Sequence, residues 1–407
     1  MTHELPVRRR SCFFFPCFGI WYDIGVMKEG LYIHIPYCRR KCGYCGFTSY
    51  PLPAGNVPDE LIDLLLQEMR FYEERLGRLD VDTVFIGGGT PSLLAPSQFE
   101  RLMKGVRQCF DVAEDAEITS EANPDSLSEE VLAAMAESGI NRLSMGAQSL
   151  DNTLLSLLGR IHDRDGFLRA YERAAAAGFD NINIDLMFGL PMQTYDQWMS
   201  TLRETAALGP SHLSLYTIQL EEGTPFYEAF RNGKLDLPAV SLDRQMYHDA
   251  AAFLRSQGME HYEISNFARP GAHCRHNLKY WDMTPFIGIG PSAASYMENR
   301  RYQNPADLHA WKECIGSGRL AFDTAAAEGT DDAMEIFCFT SLRTAAGLDT
   351  QKFKERFGIS LEEAYQKEPP PVDQWIGQGL LRKENTRLIL TEKGIDVSNE
   401  IMSAFMR

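Results

Sequence analysis

Short runs of β-branched and aromatic residues alternate with amphipathic helical stretches along the first half of the chain, beginning at Leu31. The pattern predicts strands over residues 31–35, 83–86, 117–120, 142–147, 181–186 and 212–219. It predicts helices over residues 59–75, 98–109, 129–138 and 197–208, among others. Strands and helices that alternate in this way are typical of an α/β fold, and about six units predict a partial (β/α)6 barrel of the TIM type.

The most unusual residues fall directly after predicted strands. They are a cysteine cluster, the glycine-rich residues 87–92, residues 121–124, Gln148 and residues 188–191. Loops at the carboxyl ends of parallel strands meet at one edge of the sheet, so we expect these residues to line a single cavity.

The pattern also suggests four regions. Residues 1–29 are expected to be a disordered leader or the result of a mis-assigned start, with Met27 as the true initiator, and residues 30–222 to form the barrel. Residues 223–325 are expected to extend the barrel, with an extended segment over 267–292. In residues 326–407, helices at 331–343 and 350–357 precede strands at 380–383 and 387–391 and a final helix, which predicts a winged-helix-like domain.

Composition excludes several classes of function. The 40 basic and 56 acidic side chains give a net charge of -16, which disfavours a nucleic-acid partner. No apolar run approaches the roughly 20 residues that a membrane span needs. Nine cysteines, with three within eight positions, indicate metal chemistry in a reducing compartment, and the cytoplasm is the expected location.

The cysteine cluster consists of Cys38, Cys42 and Cys45, separated by three and then two residues. Three thiolates can hold a 4Fe-4S cluster while leaving one iron open to a ligand such as S-adenosylmethionine (SAM). The alternative is a zinc site, because thiolates and imidazole suit zinc equally well. Its fourth ligand would be His34, Cys274 or His276.

Seven segments resemble the radical-SAM branch that contains oxygen-independent coproporphyrinogen III oxidases and HemW heme chaperones. They are YIHIPYCRRKCGYCGF (32–47), FIGGGTPSLL (85–94), SEANPDSL (120–127), NRLSMGAQSL (141–150), LGRIHD (158–163), NIDLMFGLPMQT (183–194) and HLSLY (212–216). The resemblance extends from residue 30 to the C-terminus and implies a radical-SAM barrel that holds a 4Fe-4S cluster and SAM.

The resemblance also implies a set of SAM contacts: Tyr32, Gly88, Gly89, Thr90, Glu121, Gln148, Arg160 and Asp185. Without it, the glycines would suggest only tight packing of a strand against a helix, and the charged residues would suggest surface ion pairs.

Two features favour the chaperone side of this branch. The oxidases normally carry a fourth cysteine two residues after the third, where this chain has Phe47. The hexapeptide HNLKYW, residues 276–281, resembles the HNxxYW sequence of HemW proteins, which implies a heme contact at His276. The alternative is a structural histidine beside core aromatics, and Cys274 is a competing thiolate ligand.

The expected function is therefore a heme chaperone that binds cluster, SAM and heme and delivers heme to an apo-hemoprotein, membrane-associated acceptors included. The expected electron donor is flavodoxin or ferredoxin. SAM cleavage is left open. The alternative function is oxygen-independent coproporphyrinogen III oxidase.

Overall fold

The computed structural model describes residues 28–52, 55–320 and 330–406. The predicted leader therefore lies outside the described residues, except for its last two positions. The strands are β1 (Glu29–Ile35), β2 (Tyr37–Cys38), β3 (Tyr50–Pro51), β4 (Asp80–Gly88), β5 (Asp111–Ala122), β6 (Arg142–Gln148), β7 (Ile182–Phe188), β8 (His212–Thr217), β9 (Glu260–Glu263), β10 (Asn266–Ala268), β11 (Phe286–Ile289), β12 (Ala294–Met297), β13 (Arg300–Gln303), β14 (Leu348–Asp349), β15 (Leu381–Glu384) and β16 (Arg387–Leu390).

Helices connect most of these strands. They are α1 (Asp59–Leu76), α2 (Pro96–Cys109), α3 (Glu129–Glu137), α4 (Asn152–Leu158), α5 (Arg164–Ala176), α6 (Tyr195–Ala207), α7 (Pro225–Arg231), α8 (Val240–Ser256), α9 (Arg275–Trp281), α10 (Leu308–Gly316), α11 (Thr330–Leu342), α12 (Thr350–Phe357), α13 (Leu361–Ala364), α14 (Val372–Gly377), α15 (Glu392–Ile395) and α16 (Ser398–Ser403). Within the described ranges, none has the length and apolar character that crossing a bilayer requires.

The six predicted barrel strands are confirmed as β1, β4, β5, β6, β7 and β8, and each pairs in parallel with the next. They form the centre of an 11-stranded sheet in the order β13-β12-β11-β1-β4-β5-β6-β7-β8-β10-β9. The molecule is thus an α/β protein with a partial parallel barrel, as predicted.

Successive side chains of β1 point alternately to the hydrophobic core outside the barrel and to the inside of the barrel. Leu31, Ile33 and Ile35 are fully buried in the main hydrophobic core, whereas Tyr32 and His34 lie on the opposite face. Tyr32 stacks on Phe85 of β4, with 6.2 Å between ring centroids. The polar and aromatic residues of alternate positions therefore line the inside of the barrel.

The prediction of an extended segment over residues 267–292 is wrong. This stretch contains β10, the seven-residue helix α9 and β11, which pairs in parallel with β1. The Glu117 carboxylate of β5 accepts hydrogen bonds from the backbone amides of Arg275 (3.0 Å) and His276 (3.1 Å) at the start of α9. Since a helix this short depends on tertiary contacts, local sequence patterning could not reveal it.

The C-terminal region has the predicted winged-helix-like arrangement. Helices α11 and α12 precede the β15–β16 hairpin, which turns at Asn385 in a left-handed conformation, and β14 completes a three-stranded sheet. Its core also contains Met283, Phe286 and Tyr296 from the barrel extension. The two regions therefore share one apolar core.

Candidate functional site

The cysteine loop follows β1 at the carboxyl end of the sheet. The amide of Cys45 donates to the carbonyl of Cys42 (3.2 Å), and the Leu52 amide donates to the Cys38 carbonyl (2.7 Å) as β2 and β3 pair. All three cysteines are partly exposed free thiols. Burial raises the pKa of the Cys38 and Cys45 thiols, and the neighbouring cysteines act in the same direction.

The donor set suits an iron-sulfur cluster. Among the described residues, no three His, Cys, Asp or Glu side chains are arranged to hold one metal ion. A 4Fe-4S cluster does not require that arrangement, because each thiolate binds a different iron.

The proposed fourth zinc ligands do not join the cysteines. His34 donates from Nε2 to the Thr48 carbonyl (2.8 Å), and its Nδ1 lies 3.0 Å from the Tyr32 hydroxyl, so both ring nitrogens have partners. Cys274 and His276 contact Glu117 and Thr83, a pair of neighbours on β5 and β4 that lies five residues before the ends of those strands, away from the cysteine loop.

A chain of polar contacts connects two of the cysteines across neighbouring strand ends. The Thr90 hydroxyl lies 3.4 Å from the Cys38 sulfur and accepts a hydrogen bond from Asn123 Nδ2 (3.0 Å). Arg160 donates to Asn123 Oδ1 (2.7 Å) and to the Gly146 carbonyl (2.6 Å), and its second Nη lies 3.7 Å from the Cys42 sulfur. Thr90 and Arg160, both predicted SAM contacts, are therefore neighbours of the cysteine loop.

The glycine loop needs residues without a side chain. Gly88 has φ of 106°, and a Cβ there would lie 2.4 Å from the His34 ring. A Cβ on Gly89 would lie 2.5 Å from the Tyr37 carbonyl oxygen. The glycines thus bring the β4 loop against the start of the cysteine loop, and their amides are already held, Gly88 by the Glu121 carboxylate (2.9 Å) and Gly89 by the Ile35 carbonyl (2.8 Å).

Two predicted carboxylates lie on the inner face of the barrel. Burial, followed by repulsion from Asp185, raises the pKa of Glu121 to about 8, although the Gly88 amide donates to its Oε2 (2.9 Å). Burial also raises the pKa of Asp185, which accepts hydrogen bonds from Asn183 (2.9 Å) and Ser144 (3.3 Å). Both side chains remain partly exposed, so they line a recess instead of filling a core.

The remaining predicted SAM contacts border the same recess. Gln148 ends β6 with a left-handed φ of 66°. A Cβ on Gly146 would approach both Gln148 Nε2 (3.0 Å) and Arg160 Nη2 (3.3 Å), which shows that these two side chains converge. Tyr32 reaches the site through His34, and Tyr216 of β8 is 40% exposed nearby, with its pKa raised by burial and then by the charge of Asp185. The structure therefore brings the eight predicted residues to one end of the barrel.

His276 lies apart from this group. It is fully buried at the other end of the barrel, where its ring nitrogens hydrogen-bond with Thr83 (2.9 Å) and Tyr280 (2.8 Å). It stacks on Phe85 at 5.3 Å, so Phe85 separates it from Tyr32. Burial, followed by the charges of Lys279 and Arg142, lowers its pKa to about 3. This environment favours the structural alternative, and iron coordination would require one hydrogen bond to break.

Sequence reasoning missed Asn123 and His34 as members of the site. Asn123 lies within residues 121–124, directly after β5, and this position at a strand end is the sequence feature that could have identified it. His34 was considered only as a metal ligand, whereas it joins Tyr32 to the Thr48 carbonyl at the far end of the cysteine loop.

Known proteins share these features. The Radical SAM superfamily model matches residues 32–205, and the HemN C-terminal domain model matches residues 330–397. The heme chaperone HemW of Bacillus subtilis is 34% identical over 93% of this chain and 99% of its own length. The chain belongs to the HemW family of radical SAM proteins. HemW of Escherichia coli is 33% identical over 92% of this chain and 97% of its own length.

This chain also shares its fold with a solved radical SAM enzyme. The radical SAM coproporphyrinogen III oxidase HemN of Escherichia coli superimposes with a TM-score of 0.80 and 26% identity over 93% of this chain and 90% of that one. Membership of the radical SAM superfamily implies a 4Fe-4S cluster and SAM, and the cysteine loop and the recess beside it have the donor groups for both.

Proposed function

We propose that this HemW-family protein is a heme chaperone that transfers heme to apo-hemoproteins, membrane-associated ones included. The observation that carries the proposal is its similarity, over nearly the full length of both chains, to proteins named heme chaperones in two bacteria. Phe47, which is 67% exposed in the cysteine loop where the oxidases carry a further cysteine, supports the same choice.

The cluster would be held by Cys38, Cys42 and Cys45, and the open iron would bind SAM. In this arrangement Arg160, fixed by Asn123 and Gly146, pairs with the SAM carboxylate, as guanidinium groups do with planar anions. Glu121 and Asp185 accept hydrogen bonds from SAM on the inner side, and the backbone of Gly88 and Gly89 forms the wall of the recess. The seven described cysteines are free thiols, which supports a role in the reducing cytoplasm.

Heme contact at the HNLKYW helix remains part of the proposal. Tyr280 and Trp281 are only half-buried, and Arg343 of the C-terminal domain lies over the Trp281 ring at 4.8 Å. Coordination by His276 requires the Tyr280 hydroxyl to move from Nε2.

The test is heme titration of the anaerobically reconstituted protein, followed by absorbance. We expect stoichiometric binding, with about a tenfold loss of affinity in His276→Ala, and no decarboxylation of coproporphyrinogen III by mass spectrometry. The matched control is His309→Ala, since His309 is exposed on α10. Turnover of the porphyrinogen would instead assign the chain to the oxidase reaction, for which the HemN superposition is the supporting observation. Unchanged heme affinity in His276→Ala would remove only the ligand assignment.

A further inference from the structure

A cavity lies between the barrel extension and the C-terminal domain. Its barrel side is formed by the end of α8 and by β9, and its other side by the end of α11, the β15–β16 hairpin and α15. Backbone hydrogen bonds join the two sides, from the Ile264 amide to the Arg343 carbonyl (3.1 Å) and from the Ala345 amide to the Tyr262 carbonyl (3.0 Å). The volume of this interdomain cavity is about 470 Å³, within the range of about 300 to 1,000 Å³ that small-molecule sites occupy.

The wall of the interdomain cavity combines apolar side chains with arginines. Seven of the lining side chains are apolar, Met259 and Leu342 among them. Arg255, Arg343 and Arg382 line the cavity as well, and Arg255 and Arg382 are exposed. Guanidinium groups pair with carboxylates through two parallel hydrogen bonds. An apolar wall edged by such groups suits a ligand that has a large apolar body and carboxylates at its edge.

Three glutamates share this wall, and their surroundings decide whether an anion can bind. Glu392 pairs with Arg255 (2.6 Å), and Glu260 lies 2.7 Å from His273 Nε2. Both members of the Glu392–Arg255 pair are exposed, so the pair is weak and can open to another carboxylate. Glu263 is only 2% exposed, and burial raises its pKa. The raised pKa lets this carboxyl group take up a proton and donate a hydrogen bond to an anion.

Unpaired polar atoms lie beside the same wall. Within the described residues, Glu263 Oε2, Arg343 Nε and Trp281 Nε1 are buried and have no hydrogen-bond partner. The Arg343 guanidinium lies 4.8 Å from the Trp281 ring centroid, so the two N–H donors are neighbours. Buried polar groups are nearly always paired in native proteins. A bound carboxylate would supply a partner for both donors and for the protonated form of Glu263.

The interdomain cavity also adjoins the HNLKYW helix. Trp281 is the last residue of α9 and lies against Arg343. His276 of the same helix is fully buried, and both of its ring nitrogens are hydrogen-bonded, so heme has no direct access to it. Heme has a broad apolar macrocycle and two propionates, which are the two features that the cavity wall matches. A heme in the cavity would meet the end of α9 without opening the helix.

We propose that the interdomain cavity binds heme, with the macrocycle on its apolar side chains and the propionates paired with Arg255, Arg343 and Arg382. Binding is noncovalent. The inference rests on the proposed function, because heme is taken as the cargo, and it places that cargo where the barrel extension meets the C-terminal domain.

The first test fills the cavity and measures heme binding by absorbance in the full-length, cluster-reconstituted protein. Ala345 is exposed and lines the cavity, so the indole of Ala345→Trp would take the space of the ligand. We expect heme to bind at least about tenfold more weakly in this variant. The matched control is Ala346→Trp, since Ala346 is the next residue and is exposed but does not line the cavity. It should change the affinity less than about twofold.

The second test examines the propionates. In Arg343→Gln we expect heme to bind about tenfold more weakly, because a charged hydrogen bond is lost. The dimethyl ester of heme lacks the two charges, so its affinity should differ less than about twofold between Arg343→Gln and the unmodified protein. Arg101→Gln, at an exposed arginine of α2 that pairs with Asp63, is the control. Should Arg343→Gln fail to fold, Arg255→Gln/Arg382→Gln gives the same comparison at two exposed positions.

Several outcomes would overturn the proposal. They are unchanged heme affinity in Ala345→Trp, equal losses in Ala345→Trp and Ala346→Trp, or equal losses of heme and of its dimethyl ester in the arginine variants, which would indicate a structural role alone. Iron content and the midpoint of unfolding in urea should match the unmodified protein. Failure of the unmodified protein to bind any heme would instead refute the proposed function, which is a separate result.

Discussion

At the scale of single residues, the site is built from small groups at strand ends that let the backbone of one loop approach another. Gly88 and Gly89 could be predicted because their motif is distinctive, and their close contacts with His34 and Tyr37 explain why glycine is needed. Asn123 could not be identified in the same way, because its role depends on Thr90 and Arg160, which are distant in sequence.

Glu121 should make SAM binding depend on pH. Its pKa is raised to about 8, so below that pH the carboxyl is mostly protonated, and the charged form that accepts hydrogen bonds from SAM becomes available as pH rises. We expect SAM affinity to increase about fourfold between pH 6.5 and 8, toward a total gain of about tenfold at higher pH. Equilibrium dialysis would measure it.

The matched variant is Glu121→Gln, which keeps the size of the side chain but cannot titrate. Its affinity should be about tenfold weaker at pH 8.5, by roughly 1.4 kcal/mol, and the difference from the unmodified protein should vanish at low pH. Because SAM titrates in the same way with both proteins, the ratio of their SAM affinities at each pH does not depend on the titration of SAM itself. If both proteins lose affinity in parallel as pH falls, Glu121 is not the titrating group.

At the scale of elements, hydrophobic periodicity predicted the six barrel strands and the helices that cover them. These elements are long and buried on a defined face, so their pattern is local. Helix α9 and strand β11 could not be predicted, since α9 depends on Glu117 and β11 pairs with β1, about 250 residues earlier in the sequence. Long-range pairing of short elements leaves little trace in a local pattern.

The barrel extension is held to α1 by one buried carboxylate. Glu68 is fully buried and accepts hydrogen bonds from the Gly290 amide (2.8 Å), Asn304 Nδ2 (2.6 Å) and Trp311 Nε1 (3.1 Å). In Glu68→Gln the new amide group would face the Asn304 donor, so we expect the free energy of unfolding in urea to fall by about 2 kcal/mol. Glu74→Gln, at an exposed position of the same helix, should change it by less than about 0.5 kcal/mol.

The same substitution predicts a pH dependence. Burial raises the pKa of Glu68 from 4.5 to about 7, so the folded protein retains a proton that the unfolded chain releases. The stability that the folded protein gains by keeping Glu68 protonated is fully present below pH 4.5 and is lost as pH rises to about 7. The destabilisation by Glu68→Gln should therefore be larger at pH 5 than at pH 8. A difference of the opposite sign would show that the fold lowers the pKa of Glu68 instead of raising it.

At the scale of the whole molecule, the barrel and the C-terminal domain are coupled through a shared apolar core. Arg356 of α12 donates to the Met283 carbonyl (3.1 Å), the Tyr296 hydroxyl (3.0 Å) and Asn299 Oδ1 (2.8 Å), all in the barrel extension. Its guanidinium also lies 5.9 Å from the ring centroids of Phe337 and Phe357. Met283 follows the HNLKYW helix by two residues, so this contact connects the C-terminal domain to the proposed heme segment.

Removing that guanidinium should loosen α9 without disturbing the cysteine loop. In Arg356→Ala, three acceptors lose a charged donor, and we expect the free energy of unfolding to fall by about 2 kcal/mol. Backbone amides of α9 should exchange with deuterium about tenfold faster, measured by mass spectrometry, because local opening costs less when a supporting contact is lost. Cluster content should stay the same, since β1 and β4 hold the cysteine loop at the other end of the barrel. Lys352→Ala, on the exposed side of the same helix, serves as the control.

Heme affinity measured on Arg356→Ala and Lys352→Ala then decides whether heme contacts α9. If it does, affinity changes in Arg356→Ala alone, whereas equal affinity despite faster exchange would place heme elsewhere.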